Sequence, residues 1–213
     1  MKSEVWLDGL SERLASQARF LVEVDRLKTV NRGNRIADGS RRENTAEHSW
    51  HLAMFALVLR EWSVEPVDIG RVVQMLLLHD LVEIECGDTP LFDVTGASTQ
   101  AEREKLAADR IFRILPDDQG HKLRELWEEF EEAQTADARY AKALDRLQPI
   151  IMNHVVRGGT WTDYDVDVAR ERSLTQRIAQ GSPVLWDMAE HIFADAIANG
   201  WLRLTAVQRD VAS

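Results

Sequence analysis

The sequence has few of the features that build disulfide-bonded, membrane or secreted proteins. Cys86 is the only cysteine among 213 residues, so an internal disulfide is excluded. The longest apolar runs, such as Met75 to Leu78, fall far short of the roughly 20 residues that a membrane-spanning helix needs. No uninterrupted apolar stretch follows Met1, so no signal peptide is visible. These absences predict a cytoplasmic protein without membrane association.

Basic charge is also scarce, because 26 lysine and arginine residues stand against 36 aspartate and glutamate residues, for a formal net charge of −10. Nucleic-acid phosphates require a basic face, so this balance argues against stable nucleic-acid binding. It leaves room for a small anionic substrate, since one site can be locally positive inside an acidic protein. Arg32, Arg35, Arg41 and Arg42 form such a candidate site, although clustered arginines in a loop are more often simply solvated.

Helical periodicity dominates the chain, and no segment alternates convincingly with period two. With 45% apolar residues, the length suits one domain over residues 1–213, with residues 201–213 as a tail. We therefore predict an all-α fold, in which the helices form a bundle with irregular crossing angles. The predicted helices cover residues 7–30, 44–62, 69–85, 99–115, 119–132, 135–155, 168–179 and 184–199. Asn44 and Glu47 form a capping-box pattern, and residues 31–43, 86–97 and 158–167 are predicted loops.

Two carboxylates lie in helices that are otherwise apolar. Met75 to Leu78 runs directly into His79 and Asp80, and Asp145 lies among alanine and leucine residues of a later helix. A buried carboxylate is costly unless it is paired, hydrogen-bonded or bound to a metal. One divalent cation held by His79, Asp80 and Asp145 would satisfy all three residues.

His48 is the best candidate for a further ligand from another helix. It lies one turn inside its helix, where the positive end of the helix disfavours the protonated ring. Two imidazoles with two carboxylates suit manganese, iron, cobalt, nickel or zinc. Two alternatives stay open, because a lone buried histidine is usually a core residue and His51, three residues later, could replace His48.

A set of short blocks extends this pattern. The blocks are Leu27 to Arg32, Glu43 to Ser49, His79 to Glu83, Gly87 to Pro90 and Ala143 to Asp145. Together they resemble the HD-domain metal-dependent phosphohydrolases, and within them the 5′-deoxynucleotidase-like branch. The blocks occur in the family order, and the resemblance extends to roughly residue 200.

The resemblance implies a role for each matching residue. It implies His48, His79, Asp80 and Asp145 as ligands of one divalent metal ion, and Arg32 as a phosphate-binding residue. It places Glu83 and Asp88 beside the reacting phosphate as acid–base groups, without deciding which is the acid, and it implies a homodimer.

Further substrate contacts are expected from Arg35 and Arg42, and Trp161 in a predicted loop is expected to cover a pocket or a partner subunit.

One position departs from the family pattern. Gly33 follows the phosphate arginine, where the related deoxynucleotidases have an aromatic residue that helps form the sugar pocket. Three hypotheses therefore stay open. They are hydrolysis of nucleoside 5′-monophosphates, including deoxynucleotides; hydrolysis of a cyclic, bis-phosphorylated or pyrophosphorylated nucleotide by a related phosphodiesterase or pyrophosphohydrolase; and nucleotide sensing by a metal-binding module without turnover.

Overall fold

The computed structural model describes residues 4–88 and 97–205, and helices dominate this part of the chain. The predicted all-α class is confirmed, with two short strands as the exception. In chain order the elements are α1 (Glu12–Asp25), β1 (Asn31–Arg35), β2 (Arg42–Asn44), α2 (Thr45–Leu59), α3 (Ile69–Leu78), α4 (Glu83–Cys86), α5 (Ala97–Phe112), α6 (Asp117–Glu132), α7 (Ala136–Val155), α8 (Thr160–Asp163), α9 (Val168–Thr175), α10 (Ile178–Gly181) and α11 (Pro183–Ala198). Single 3-10 turns occupy Val5–Leu7, Arg26–Thr29 and Arg60–Trp62.

Helix α7 lies at the centre of the larger hydrophobic core. Its residues Tyr140, Leu144, Leu147 and Ile150 are fully buried, and α2, α3, α6, α10 and α11 pack against it. Helix α10 approaches so closely that a Cβ atom on Gly181 would lie 2.5 Å from the carbonyl oxygen of Arg139. The chemistry that α7 carries is therefore held in tightly packed surroundings.

A second, smaller core lies between α1, α5 and α6. Phe20, Ile111, Phe112 and Trp127 are buried there together with Leu81, which follows α3. This core packs beneath the segment that contains His79 and Asp80, so it supports one wall of the candidate site.

The first helix is shorter than predicted. It begins after Ser11, whose hydroxyl accepts a hydrogen bond from the backbone N–H of Leu14, and it ends at Asp25 before a 3-10 turn. Leu14 and Leu21, which suggested its apolar face, are exposed, whereas Ala15 and Phe20 are buried. The prediction over residues 7–30 was wrong at both ends because the serine cap starts the helix later and the 3-10 turn ends it earlier.

The predicted loop at residues 31–43 is in part an antiparallel hairpin. Strands β1 and β2 pair Asn31 with Asn44 and Arg35 with Arg42, with an irregular register between these pairs. The strands are short and polar, so period-two hydrophobicity could not reveal them. The hairpin leads directly into the capping box of α2.

The predicted single helix over residues 69–85 is interrupted at the chemically important residues. Helix α3 ends at Leu78, and the chain continues in tighter turns in which the N–H groups of Leu81 and Glu83 donate to the carbonyls of Leu78 and Asp80. Such i→i+3 turns inside a helical path are frequent at functional positions. The tighter turns begin after His79, whose own N–H still donates to the carbonyl of Met75 as in a regular α-helix.

The C-terminal third differs in detail from its prediction. The predicted loop at 158–167 contains α8, and the predicted helix at 168–179 is divided into α9 and α10. Residues 201–205 do not begin a free tail, since Leu202 is buried and Arg203 bridges to Asp167. Residues 206–213, and the predicted loop residues 89–96, lie outside the described residues.

None of the helices in the ranges 4–88 and 97–205 combines the length and the apolar character that crossing a bilayer demands. The cytoplasmic location stays a prediction from the sequence.

Candidate metal centre

The start of α2 positions His48. The side chain of Asn44 accepts a hydrogen bond from the Glu47 N–H at 3.0 Å, and the Glu47 carboxylate accepts one from the Asn44 N–H at 3.1 Å. The predicted capping box is thereby confirmed. It fixes the first helical turn, and the imidazole of His48 points into the protein interior with no exposed surface.

His79 is oriented by contacts on both sides of its ring. Its Nδ1 donates to the carbonyl oxygen of Leu76 at 2.9 Å, and the ring lies 4.8 Å from that of Phe130. The indole N–H of Trp127 donates to the carbonyl oxygen of His79 at 3.0 Å. Because a carbonyl can only accept, Nδ1 carries a proton and Nε2 is left facing the carboxylates.

Asp145 of α7 lies between the two histidines. Its Oδ1 is 3.2 Å from Nε2 of His48 and 3.7 Å from Nε2 of His79. The candidate ligand atoms of these three residues all lie within 4.8 Å of one another. Burial tends to raise the pKa of Asp145, but its contacts with His48 and His79 hold that pKa well below the usual range.

Two carboxylates, those of Asp80 and Asp145, also raise the pKa of His79. Burial alone would lower the pKa of this histidine, yet Asp80 and Asp145 outweigh burial and raise it to about 10. Nε2 of His79 nevertheless has no well-oriented hydrogen-bond partner in the described part of the protein. A cation between this nitrogen and the two carboxylates would satisfy all three groups, while the Nδ1–H of His79 already donates to a carbonyl as in ligand histidines.

Asp80 contacts the cluster but is shared with an arginine. Its Oδ2 lies 3.0 Å from Nε2 of His79 and accepts a hydrogen bond from Nη1 of Arg32 at 2.9 Å. Burial opposes ionisation, but the charges of His79 and Arg32 lower the pKa of Asp80 to about 2. Asp80 is therefore not among the three residues whose ligand atoms converge, and its role as a fourth ligand stays a prediction.

The guanidinium of Arg32 lies between two carboxylates, that of the predicted acid–base group Asp88 and that of the predicted ligand Asp80. The guanidinium is 13% exposed, and its Nη1 lies 2.9 Å from Asp80 and 3.5 Å from Oδ1 of Asp88. Burial tends to lower the pKa of Arg32, but the two carboxylates raise it further above its ordinary value. The arginine is thus permanently charged and directed into the cluster.

Glu83 and Asp88, the two predicted acid–base groups, both have raised pKa values. Burial and the charge of Asp80 raise the pKa of Glu83 to about 9, even though Thr45 donates a hydrogen bond to its Oε2 at 2.9 Å. Burial also raises the pKa of Asp88, while Arg32 opposes the rise. With a pKa of about 9, the Glu83 carboxyl holds a proton at neutral pH, and such a group is suited to general acid–base chemistry.

The remaining predicted substrate contacts are less well placed. Arg35 lies near the hairpin turn, where its Nη1 donates to the carbonyl of Gly39 at 3.4 Å, and Arg42 is exposed. Trp161 is 1% exposed and packs in the larger core against Phe193, so the prediction that it covers a pocket was wrong. The reason is that its segment forms α8, which turns the indole inwards.

The space beside Gly33 is occupied by a neighbouring helix. A Cβ atom at this position would lie 3.2 Å from Cγ2 of Thr160, the first residue of α8. A side chain at position 33 would therefore require Thr160 to shift by a few tenths of an ångström.

Two buried polar residues near His48 were missed in the sequence. Glu43 was placed at the end of a predicted loop, and Gln148 fell within the predicted helix over residues 135–155 without a role, yet both are buried. Gln148 follows Asp145 by three residues on α7, and this spacing on one helix face was the available signal. Glu43 is the first residue of the block Glu43 to Ser49, but no role was assigned to it.

Comparison with known proteins identifies relatives with related chemistry. The model of the HD domain family matches residues 24–186. The human protein named 5′-deoxynucleotidase HDDC2 is 31% identical over 137 residues, which cover 64% of this chain and 66% of the human protein. The bovine protein of the same name is 31% identical over 134 residues, which cover 62% of this chain and 64% of that protein. The chain thus spans slightly less than two thirds of the length of both.

Solved structures show the same architecture. A predicted metal-dependent phosphohydrolase from Magnetospirillum magnetotacticum MS-1 is 48% identical, with a TM-score of 0.86 over 90% of this chain and 96% of the other. The PH0347 protein from Pyrococcus horikoshii OT3, at 19% identity and a TM-score of 0.63 over 83% of this chain and 98% of the other, is similar in fold.

Proposed function

The chain belongs to the HD domain family, and from this premise we propose that it is a metal-dependent phosphohydrolase that releases phosphate from nucleoside 5′-monophosphates. The names of its relatives, 5′-deoxynucleotidase and metal-dependent phosphohydrolase, support both the reaction and the substrate class. Deoxynucleotides are included among the substrates because several relatives carry that name.

The observation that carries the proposal is the convergence of His48, His79 and Asp145. Their ligand atoms lie within 4.8 Å of one another, and Nε2 of His79 has no well-oriented hydrogen-bond partner. With Asp80, whose Oδ2 lies 3.0 Å from the same nitrogen, as the proposed fourth ligand, the set would comprise two imidazoles and two carboxylates. This donor set fits manganese, iron, cobalt, nickel or zinc.

The charged residues around the cluster divide the work of phosphate hydrolysis. A bound divalent cation supplies Lewis-acid activation of water and of the phosphoryl group. Arg32 binds and orients the phosphate, since its planar guanidinium matches phosphate oxygens and its charge balances theirs. Glu83 and Asp88, whose pKa values are both raised by burial, exchange protons with the attacking water and the leaving oxygen.

Hydrolysis of a different nucleotide phosphoester is the second candidate. Gly33 favours this alternative, because the aromatic residue that helps form the sugar pocket in the related deoxynucleotidases is absent at this position. Arg42, which is exposed, and Arg35 on the hairpin are the cations available to extra phosphate groups. Cyclic, bis-phosphorylated and pyrophosphorylated nucleotides therefore belong in the substrate comparison.

The test is phosphate release from a panel of ribo- and deoxyribonucleoside monophosphates and the alternative nucleotides, compared by kcat/KM. Chelator should abolish the activity, and one of the five metals above should restore it. Selective turnover of a cyclic or diphosphate nucleotide would favour the second candidate. Tight nucleotide binding with no product over hours would contradict both and identify a sensor.

We further propose that the protein forms a homodimer through one face of α2. Trp50, Met54, Leu57 and Val58 follow helical spacing and are all exposed, and a contiguous exposed apolar patch is typical of a protein–protein interface. Light scattering coupled to size-exclusion chromatography should give twice the chain mass, and Val58→Glu should reduce it to a monomer. A monomeric wild-type protein would remove this part of the proposal.

A further inference from the structure

Glu43 is a buried acid whose surroundings connect it to the metal centre. It lies in strand β2, five residues before His48, and it is 3% exposed. A carboxylate in such a position must be compensated by donors or cations. The structure offers it two donors, one on each carboxylate oxygen.

The first donor is His48. Oε2 of Glu43 lies 3.5 Å from Nδ1 of His48, on the side of the ring opposite to Asp145. This separation exceeds that of a formed hydrogen bond. However, both atoms are buried, and neither has another hydrogen-bond partner among the described residues. A small shift of either side chain would therefore allow Nδ1 of His48 to donate a hydrogen bond to Oε2 of Glu43.

The second donor is Gln148 of α7. Its Nε2 donates to Oε1 of Glu43 at 3.0 Å and also contacts Nδ1 of His51 at 3.2 Å. Gln148 follows Asp145 by three residues on the same helix. Contacts thus run from Asp145 to His48, from His48 to Glu43, and from Glu43 back to α7 through Gln148.

We propose that Glu43 is a positioning residue of the metal centre. Its carboxylate accepts a hydrogen bond from Nδ1–H of His48 and so keeps Nε2 as the ligand atom. This inference rests on the proposed function, because it takes His48 as a ligand. His79 has an equivalent arrangement, in which the Leu76 carbonyl accepts from Nδ1. Acceptors of this kind fix the tautomer and the orientation of ligand histidines and raise their basicity.

The proposal requires a carboxylate at position 43 rather than any polar group. His48 and Gln148 both present N–H groups, and a carboxylate accepts on both oxygens. A glutamine has one oxygen and one amide nitrogen, so it would place a donor against one of the two N–H groups. Glu43→Gln is therefore expected to weaken cation binding although its shape is nearly unchanged.

The test measures cation affinity rather than turnover. Metal-depleted wild type, Glu43→Ala and Glu43→Gln are titrated with Co²⁺ by visible absorption, and Zn²⁺ affinity is measured by competition with a chromogenic chelator. Loss of such an acceptor typically weakens metal affinity by about 10–100-fold. We expect a loss in this range for Glu43→Ala, a loss in the same direction for Glu43→Gln, and an altered Co²⁺ spectrum for both.

Glu190→Gln is the matched control. Glu190 is a half-buried glutamate of α11 that pairs with Arg172 and contacts no proposed ligand. This variant should bind Co²⁺ and Zn²⁺ as tightly as wild type. If Glu43→Ala fails to fold, the nearly isosteric Glu43→Gln carries the test by itself.

The outcomes separate the inference from the function on which it rests. Wild-type affinity in the folded position-43 variants would overturn the inference and leave the metal centre intact. A wild-type protein that binds neither cation would overturn the proposed metal centre and the inference together.

Discussion

Nε2 of His48 lies 3.2 Å from Oδ1 of Asp145, and both side chains are buried. The contact connects the first turn of α2 with the middle of α7, the helix around which the larger core is packed. Both backbones are held by packing, so the distance between the two side chains is set by the fold. This rigidity makes single substitutions at the contact informative.

Replacing Asp145 with Asn should remove the cation and the activity together. The amide keeps the size of the side chain but loses the charge that draws a cation towards His48 and His79. Without the cation, we expect Asp145→Asn to lose about 3 kcal/mol of transition-state stabilisation, which corresponds to a rate that is lower by roughly 100-fold. The metal content, measured by mass spectrometry, and the rate of phosphate release should fall in parallel. Asp117→Asn, at the exposed start of α6, should change neither. Full turnover by Asp145→Asn would end the metal-centre proposal.

Replacing Arg32 with Lys should separate substrate binding from metal binding. Lysine keeps the charge but lacks the planar fork that can contact phosphate and the Asp80–Asp88 pair together. A charge-assisted hydrogen bond contributes about 1.5–3 kcal/mol, so kcat/KM should fall by roughly 10- to 100-fold. The bound metal should remain at the wild-type level. Unchanged kcat/KM would show that Arg32 serves only as a counter-ion of the two carboxylates.

The stability of the protein should depend on pH through Glu171, a buried acid that is not a proposed ligand. Burial raises its pKa to about 7 from 4.5, although nearby Trp161 and the charge of Arg146 oppose the rise. Between these values the unfolded chain loses the proton first, so folded stability decreases as pH rises through this window and is constant above it.

Glu171→Gln should remove this dependence. The free energy of unfolding of the variant relative to wild type should rise by on the order of 3 kcal/mol between pH 4.5 and 8. Denaturant titrations across that range measure the difference. A difference that is independent of pH would contradict the assignment.

Gly181 should tolerate no larger residue. A methyl group there would lie 2.5 Å from the Arg139 carbonyl oxygen and 2.7 Å from Cβ of Ala143, so α10 would have to move away from α7. Overpacking of this kind costs about 1–3 kcal/mol. For a chain of this size each kcal/mol lowers Tm by about 2–4 °C. A scanning calorimetry trace of Gly181→Ala that matched wild type would show that α10 adjusts without cost.

Features encoded by neighbouring residues were predictable from the sequence. The capping box at Asn44 and Glu47 was found because both partners lie within one turn. Helix α7 was predicted within one residue because its apolar residues keep a regular period over five turns. The candidate ligands His79 and Asp145 were found because polar residues interrupted apolar helices.

Features that depend on distant partners were not predictable in this way. The strands of the hairpin are polar, and they are stabilised by each other rather than by a hydrophobic pattern. The sharing of Asp80 between His79 and Arg32 depends on where the hairpin lies in space. Trp161 was misplaced for the same reason, since only the folding of α8 shows that its ring faces the core.

The three converging residues come from three separate parts of the chain: α2, the end of α3, and α7. A cation held between them would act as a removable cross-link of the tertiary structure. At a free concentration 100 times its Kd, such a ligand adds about 2.7 kcal/mol to the folded state by mass action. Metal supply in the cell would then control how long the chain survives proteolysis, as well as how fast it turns over substrate.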